Sequence, residues 1–152
     1  MSNQFIYALA EYIKTGTAWP NGFDFADQFI VGGSLPSDPV ECILMKESGG
    51  GPISGTQDRQ DITIQFLARA EIHSRSRELI YAVFDSDALT SRLQPDGPKF
   101  HEIFDFTIQE TTTGGLIRIA KLGWVQTPFD LGATGPSSFA HSVNAIVTMG
   151  NG

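Results

Sequence analysis

Two segments of strict alternation, and a switch to helical spacing directly after one of them, predict an α+β fold. The expected architecture is a mostly antiparallel sheet of about five to six strands, with an N-terminal helix and a central helix packed on one face. The first observation is Asp61–Ala70 (DITIQFLARA), where Ile62, Ile64, Phe66, Ala68 and Ala70 point one way. Asp61, Thr63, Gln65 and Arg69 point the other, with Leu67 the one apolar exception. The second is Ser138–Met149, where Phe139, His141, Val143, Ala145, Val147 and Met149 alternate with Ala140, Ser142, Asn144, Ile146 and Thr148. The third is Ser74–Leu93, where Leu79, Ile80, Val83 and Phe84 fall at helical spacing and Ala82 and Leu89 extend the buried side. Ser74 or Ser76 is the expected N-cap of that helix. A chain of 152 residues with 41% hydrophobic content suffices for one core, so a single domain over 1–152 is expected.

The remaining elements follow from local signals. Residues 3–15 read as a short amphipathic helix with Ile6, Leu9, Ala10 and Ile13 on one face, capped by Ser2 or Asn3 and ended by Gly16. Such a helix is marginal alone and must dock on something. Trp19–Asp27 reads as loop around the turn Pro20-Asn21-Gly22, with Phe23 and Phe25 against the edge of the core. Gln28–Val31 is a short strand closed by Gly32-Gly33, and the prolines of Leu35–Pro39 keep that segment extended or turned. Val40–Lys46 is an apolar strand, and Glu47–Asp58 reads as a glycine-rich loop. His101–Glu110 reads as a strand with Phe104, Phe106 and Ile108 on one face, and Thr111–Gly115 as a hairpin turn. Leu116–Gln126 reads as a strand with apolar residues on both faces, which implies a central position or a partner on one face. Thr127–Pro136 reads as a loop.

Composition argues against several functions. Ten basic against 17 acidic residues leave a formal charge of −7, so phosphate neutralisation cannot drive binding to nucleic acid. The single cysteine, Cys42, allows no intrachain disulfide and no thiolate cluster, and reads as a small buried side chain. The N-terminus shows neither a basic n-region nor a long apolar run, so no signal peptide or membrane span is expected. The glycines at 49, 50, 51 and 55 are followed by Thr56 and Gln57 rather than by Lys-Ser/Thr and a helix, which argues against a phosphate loop. His73, His101 and His141 include no pair at metal-ligand spacing, and His141, on the apolar side of its strand, reads as a hydrogen-bonded core or interface residue. Gly-x-Ser-x-Gly is absent, and Asp85 and Asp87 face different directions on a helix. No catalytic, cofactor-binding or metal-ligating set is therefore expected, nor any cofactor.

Several stretches together resemble the tail terminator and minor capsid proteins of long-tailed bacteriophages. Phe29-Ile30-Val31-Gly32-Gly33 with Leu35-Pro36 is similar to that family's short strand and turn. Ile43-Leu44-Met45-Lys46-Glu47 followed by Gly49-Gly50-Gly51-Pro52 resembles its hairpin strand and the gap after it. Ile62 to Arg69 followed by Ala82-Val83-Phe84 is the nearest match, and Pro128-Phe129-Asp130-Leu131-Gly132 with Ser142-Val143-Asn144 is similar to its last loop and strand. Ala133-Thr134-Gly135-Pro136 lacks the arginine of the acidic-Gly-Arg turn that the family often carries there. The resemblance implies a structural virion protein, not an enzyme, assembled in the host cytoplasm. It would form a ring, typically a hexamer, that caps the head-proximal end of the tail tube and meets the major tail tube protein and a neck or connector protein. DNA would pass its acidic lumen without specific binding, and no membrane is involved.

A ring needs a heterologous interface that closes on itself. The candidate residues for it are Gly49, Gly50, Gly51, Pro52 and Ile53 in the glycine-rich loop and Leu116, Arg118 and Trp124 on the two-faced strand, with Trp19, Phe23 and Phe25 as further aromatic material. Two alternatives stand beside this expectation: another neck or tail-completion component, and a small-molecule-binding α+β domain with a deep pocket.

Overall fold

The computed structural model describes residues 2–50, 61–110 and 112–150. Its elements run α1 (Ser2–Gly16), α2 (Phe25–Gln28), β1 (Phe29–Val31), β2 (Cys42–Gly50), β3 (Asp61–Ala70), α3 (His73–Phe84), β4 (Glu102–Gln109), β5 (Leu116–Trp124), β6 (Phe129–Gly135) and β7 (Ser138–Met149). The fold is α+β, as the periodicities predict. One sheet holds seven strands in the order β1-β2-β3-β7-β5-β4, with β6 also paired to β7. The sheet is mixed, which corrects the mostly antiparallel expectation: β1 runs parallel to β2, with Phe29 opposite Ile43. No helix among the described residues is long and apolar enough to cross a membrane.

The two long alternating strands are neighbours along their whole length, from Asp61 opposite Thr148 to Ala70 opposite Phe139. Their inward residues, among them Ile62, Ile64, Phe66, Val143, Ala145 and Val147, form one buried cluster with Phe5, Leu9 and Ile13 of α1 and Leu79, Ile80 and Val83 of α3. Helix α3 packs on β3 and β7, while α1 touches β1 and β2 near one edge and β4 at the other, so the sheet curls around it.

Phe25–Gln28 is helix where loop and the start of a strand are expected, and four further local expectations are corrected. First, α3 ends at Phe84 rather than reaching Leu93, and its N-cap, Ile72, makes no side-chain cap. Ser86 Oγ accepts the Ala88 N–H and meets the Thr17 hydroxyl at 2.7 Å, a local side-chain bond that competes with the next helical turn. The chain then folds onto the end of α1, where Ala88 stands so near Gly16 that a Cβ there would come within 2.5 Å of Ala88 Cβ. Leu89 is buried all the same, but from a turn. Second, β2 continues through Glu47 to Gly50, opposite Ile64 and Ile62 of β3, where a loop is expected from Glu47 onward.

Third, β5 is apolar on both faces because its alternation is reset. Ala120 is skipped between Ile119 and Lys121 in the pairing with β7, and on the facing strand Asp105 takes a left-handed φ of 50°. Ile117 and Ile119 face the core before this irregularity, and Leu122 and Trp124 do so after it. The same reset on β4 turns Ile103 inward with Phe106 and Ile108 and leaves Phe104, expected on their face, 60% exposed. Fourth, Phe129–Gly135 is not loop but strand β6, whose pairing with β7 shifts register twice. Its own Gly132 and Gly135 give the segment the composition of a loop.

Candidate functional site

Two regions could carry function: the sheet face turned away from the helices, and a polar cluster at the start of α3.

On the outer face, Phe104 stands opposite Lys121 and Gly123 opposite Ile146. Val125, two residues beyond Gly123, shares that side, and an open groove there is lined by Asp61, Glu102, Lys121, Val125, Ile146 and Thr148. Phe104, Val125 and Ile146 are 60%, 56% and 40% exposed. Lys121 pairs with Glu102 at 2.9 Å and lies over the Phe104 ring. The groove is therefore apolar in its exposed spots and charged around them.

The residues expected at a subunit interface are scattered. Leu116, at the start of β5, is exposed. Arg118 is exposed too and meets Asp105 Oδ1 at 3.0 Å. Trp124 turns inward, edge-on to Phe66 at 5.5 Å and against Phe84 at 5.6 Å, and its neighbour Val125 is the outward residue. Gly49 and Gly50 end strand β2, while Gly51, Pro52 and Ile53 lie outside the described residues. Trp19, Phe23, Phe25 and Phe29 form an aromatic cluster with centroids 4.5 to 5.8 Å apart and pack against the core, the edge role expected for Phe23 and Phe25.

The polar cluster joins His73, the first residue of α3, to Asp130 on β6 and His141 on β7. Strand pairing places Asp130 opposite His141. His141 is on the core face of β7, a hydrogen-bonded core residue as its alternation predicts, and is 3% exposed. Its Nδ1 meets Ser76 Oγ at 2.6 Å, and Ser76 Oγ lies 3.0 Å from the His73 carbonyl oxygen, to which it donates. A hydroxyl has one proton to give: when Ser76 gives it to the His73 carbonyl, His141 presents Nδ1–H to Ser76 and leaves Nε2 as the lone-pair nitrogen. Ser76 is itself fully buried, so it is a positioning group and not an accessible nucleophile. Asp130 accepts from the Gly132 N–H at 2.7 Å through Oδ1 and meets His73 Nε2 at 2.5 Å through Oδ2. Gly132 holds φ at +80°, a conformation that lets its N–H fold back onto the carboxylate. The His73 and His141 rings stand 4.9 Å apart, and Phe139 meets His73 edge-on.

Charge states follow from these contacts. The His73 hydrogen bond, with that from Gly132, holds the Asp130 carboxyl below its ordinary value. Burial holds His141 below its ordinary 6.5, against the pull of Asp130 and with the help of His73 and Arg77. A histidine whose folded value is depressed supports stability fully above about pH 6.5, and that support is lost as pH falls through the depressed value. Urea unfolding midpoints should therefore drop between about pH 7 and about pH 5, and more steeply in the wild-type chain than in His141→Gln. Asp130 adds its own loss only below the ordinary carboxylate range.

The sequence offers no signal for this cluster, because 57 residues separate His73 from Asp130. His101 takes no part in it. It stacks on Phe84 at the far end of α3, with Nε2 2.8 Å from Asp85 Oδ1. His73, Asp130 and His141 are residues that could hold a metal ion. In comparisons with known proteins, no family model matches the chain, and no curated protein matches it.

Proposed function

We propose that this chain is a structural assembly protein whose copies close into a ring, the part a tail terminator plays in a long-tailed phage. On this reading it ends the tail tube at its head-proximal side, meets the tube protein on one face and a neck or connector protein on the other, and encloses an acidic lumen that DNA traverses. Six copies are the expected number. The observation that carries the reading is the outer sheet face, where Phe104, Val125 and Ile146 stay exposed around charged Lys121, Glu102 and Asp61. Apolar spots rimmed by charge on an uncovered face are what a protein partner buries. The net charge of −7 fits a lumen that repels the DNA backbone. The runner-up within this class, another neck or tail-completion component, shares that chemistry and differs in which parts it joins.

Mass measurement in solution, with and without tail tube protein, tests the reading. A discrete multiple of the 16.5 kDa chain is expected, and stoppage of tube growth when the tube protein is present. Val125→Glu with Ile146→Glu should leave a folded monomer that no longer assembles, because an interface core rejects unpaired charge. A chain that stays monomeric under both conditions would overturn the proposal, and unlimited filaments would point to a tube subunit instead.

A further inference from the structure

The polar cluster at the start of α3 has more than a salt bridge needs. His73 and Asp130 would suffice for an ion pair, yet a second imidazole, buried and hydrogen-bonded to Ser76, is placed beside them. We propose that His73, Asp130 and His141 form a site for one divalent transition-metal ion of the zinc class, with a further coordination position open to water or to a partner's side chain.

The geometry suits this. Each residue offers one ligand atom, and these atoms lie within 4.8 Å of one another. Donors about 2.0 to 2.2 Å from a tetrahedral ion stand roughly 3.3 Å apart, so small side-chain rotations complete the set. His73 and Asp130 are each about half exposed, with side-chain exposures of 47%, which leaves room for that adjustment. His141 is the fixed member: it is buried, and the hydrogen bond between its Nδ1 and Ser76 Oγ leaves Nε2 to meet the ion, the arrangement in which an outer partner orients a ligating imidazole. Asp130 is likewise held from outside by the Gly132 N–H. Two imidazoles and one carboxylate match zinc and its first-row neighbours, whereas calcium and magnesium call for oxygen donors. Binding exchanges the direct contact of His73 Nε2 with Asp130 Oδ2 for two bonds to the ion. The two exposed ligands stand on the solvent side and the buried histidine behind them.

This inference is independent of ring assembly, since all three ligands come from one chain and a monomer would bind equally. The test is calorimetric titration of the untagged full chain with zinc chloride near neutral pH, together with cobalt(II) absorption spectra. One zinc per chain is expected, with the visible cobalt bands of imidazole ligation abolished by added zinc. Asp130→Asn and His73→Gln, both at exposed positions, should each weaken binding by tenfold or more. Ser76→Ala, which touches no ion, should weaken it by about tenfold through loss of orientation. Wild-type unfolding temperature should rise with zinc and return with a chelator, a shift that Asp130→Asn lacks. The proposal is overturned if the wild-type chain takes up zinc only in the millimolar range or without saturation. It is equally overturned if one-to-one uptake survives in both His73→Gln and Asp130→Asn.

Discussion

Replacing Phe66 with alanine should remove about 3 to 5 kcal/mol of folding free energy. Phe66 is 1% exposed and stands opposite Met45 of β2 and Val143 of β7, so it fills the middle of the sheet's core face. Its ring also meets Trp124 edge-on, linking the β2–β3–β7 part of the sheet to β5. Truncation leaves a cavity that neighbours on three strands cannot close without breaking their pairing. Against a typical domain stability of about 5 to 15 kcal/mol, the loss is a large fraction of the whole. Thermal unfolding should shift down by roughly 10 °C or more, read by circular dichroism. Leu116→Ala removes a comparable apolar side chain from a position 74% exposed, and it should stay within about 0.5 kcal/mol of wild type. Equal losses in the two variants would refute the placement of the core.

Replacing Arg69 with methionine should cost about 2 to 3 kcal/mol, by loss of hydrogen bonds from a charged donor to part-buried carbonyls. Arg69 Nε donates to the Val40 carbonyl at 2.8 Å, and Nη2 donates to the carbonyls of Pro36 and Pro39. One guanidinium thereby ties the segment before β2 to the end of β3. Methionine keeps the aliphatic stem but leaves three acceptors without their donor, and Arg69→Lys should recover little because a single ammonium cannot span the same fork. Cys42, directly opposite Arg69, supplies a second readout. It is fully buried, and burial pushes its thiol up, so it reacts slowly in the wild type. Freeing the neighbouring segment should speed its modification by a thiol reagent several-fold. As the only cysteine, it gives an unambiguous signal. Unchanged labelling together with unchanged stability would show that the guanidinium does not anchor the segment.

The sheet's outer groove and the α3 cluster make different demands on the same chain. On the proposed reading, the groove works only when a second surface covers it. The histidine–aspartate cluster is complete within one subunit. Assembly assays and zinc titrations therefore report on separate properties, and either can succeed without the other.

What the amino-acid order determined by itself was wherever a residue's environment follows from its immediate neighbours. Strands β3 and β7 were legible to the residue because one buried face imposes a period of two over ten or more positions, and α1 and the apolar face of α3 were legible from helical spacing. Tertiary structure decided the features that depend on contacts far along the chain. Helix α3 stops at Phe84 because Ser86 and Ala88 find partners at the end of α1, some 70 residues earlier in sequence. Strand β6 forms on a glycine-broken segment because β7 offers it a ladder. A register reset shared by β4 and β5 chose which apolar residues are core and left Phe104 in solvent. The His73–Asp130–His141 cluster belongs to this second class, since only the pairing of β6 with β7 beneath the first turn of α3 brings its members together. Periodicity reports which side of an element is buried; it carries no information about which distant element will supply the neighbour.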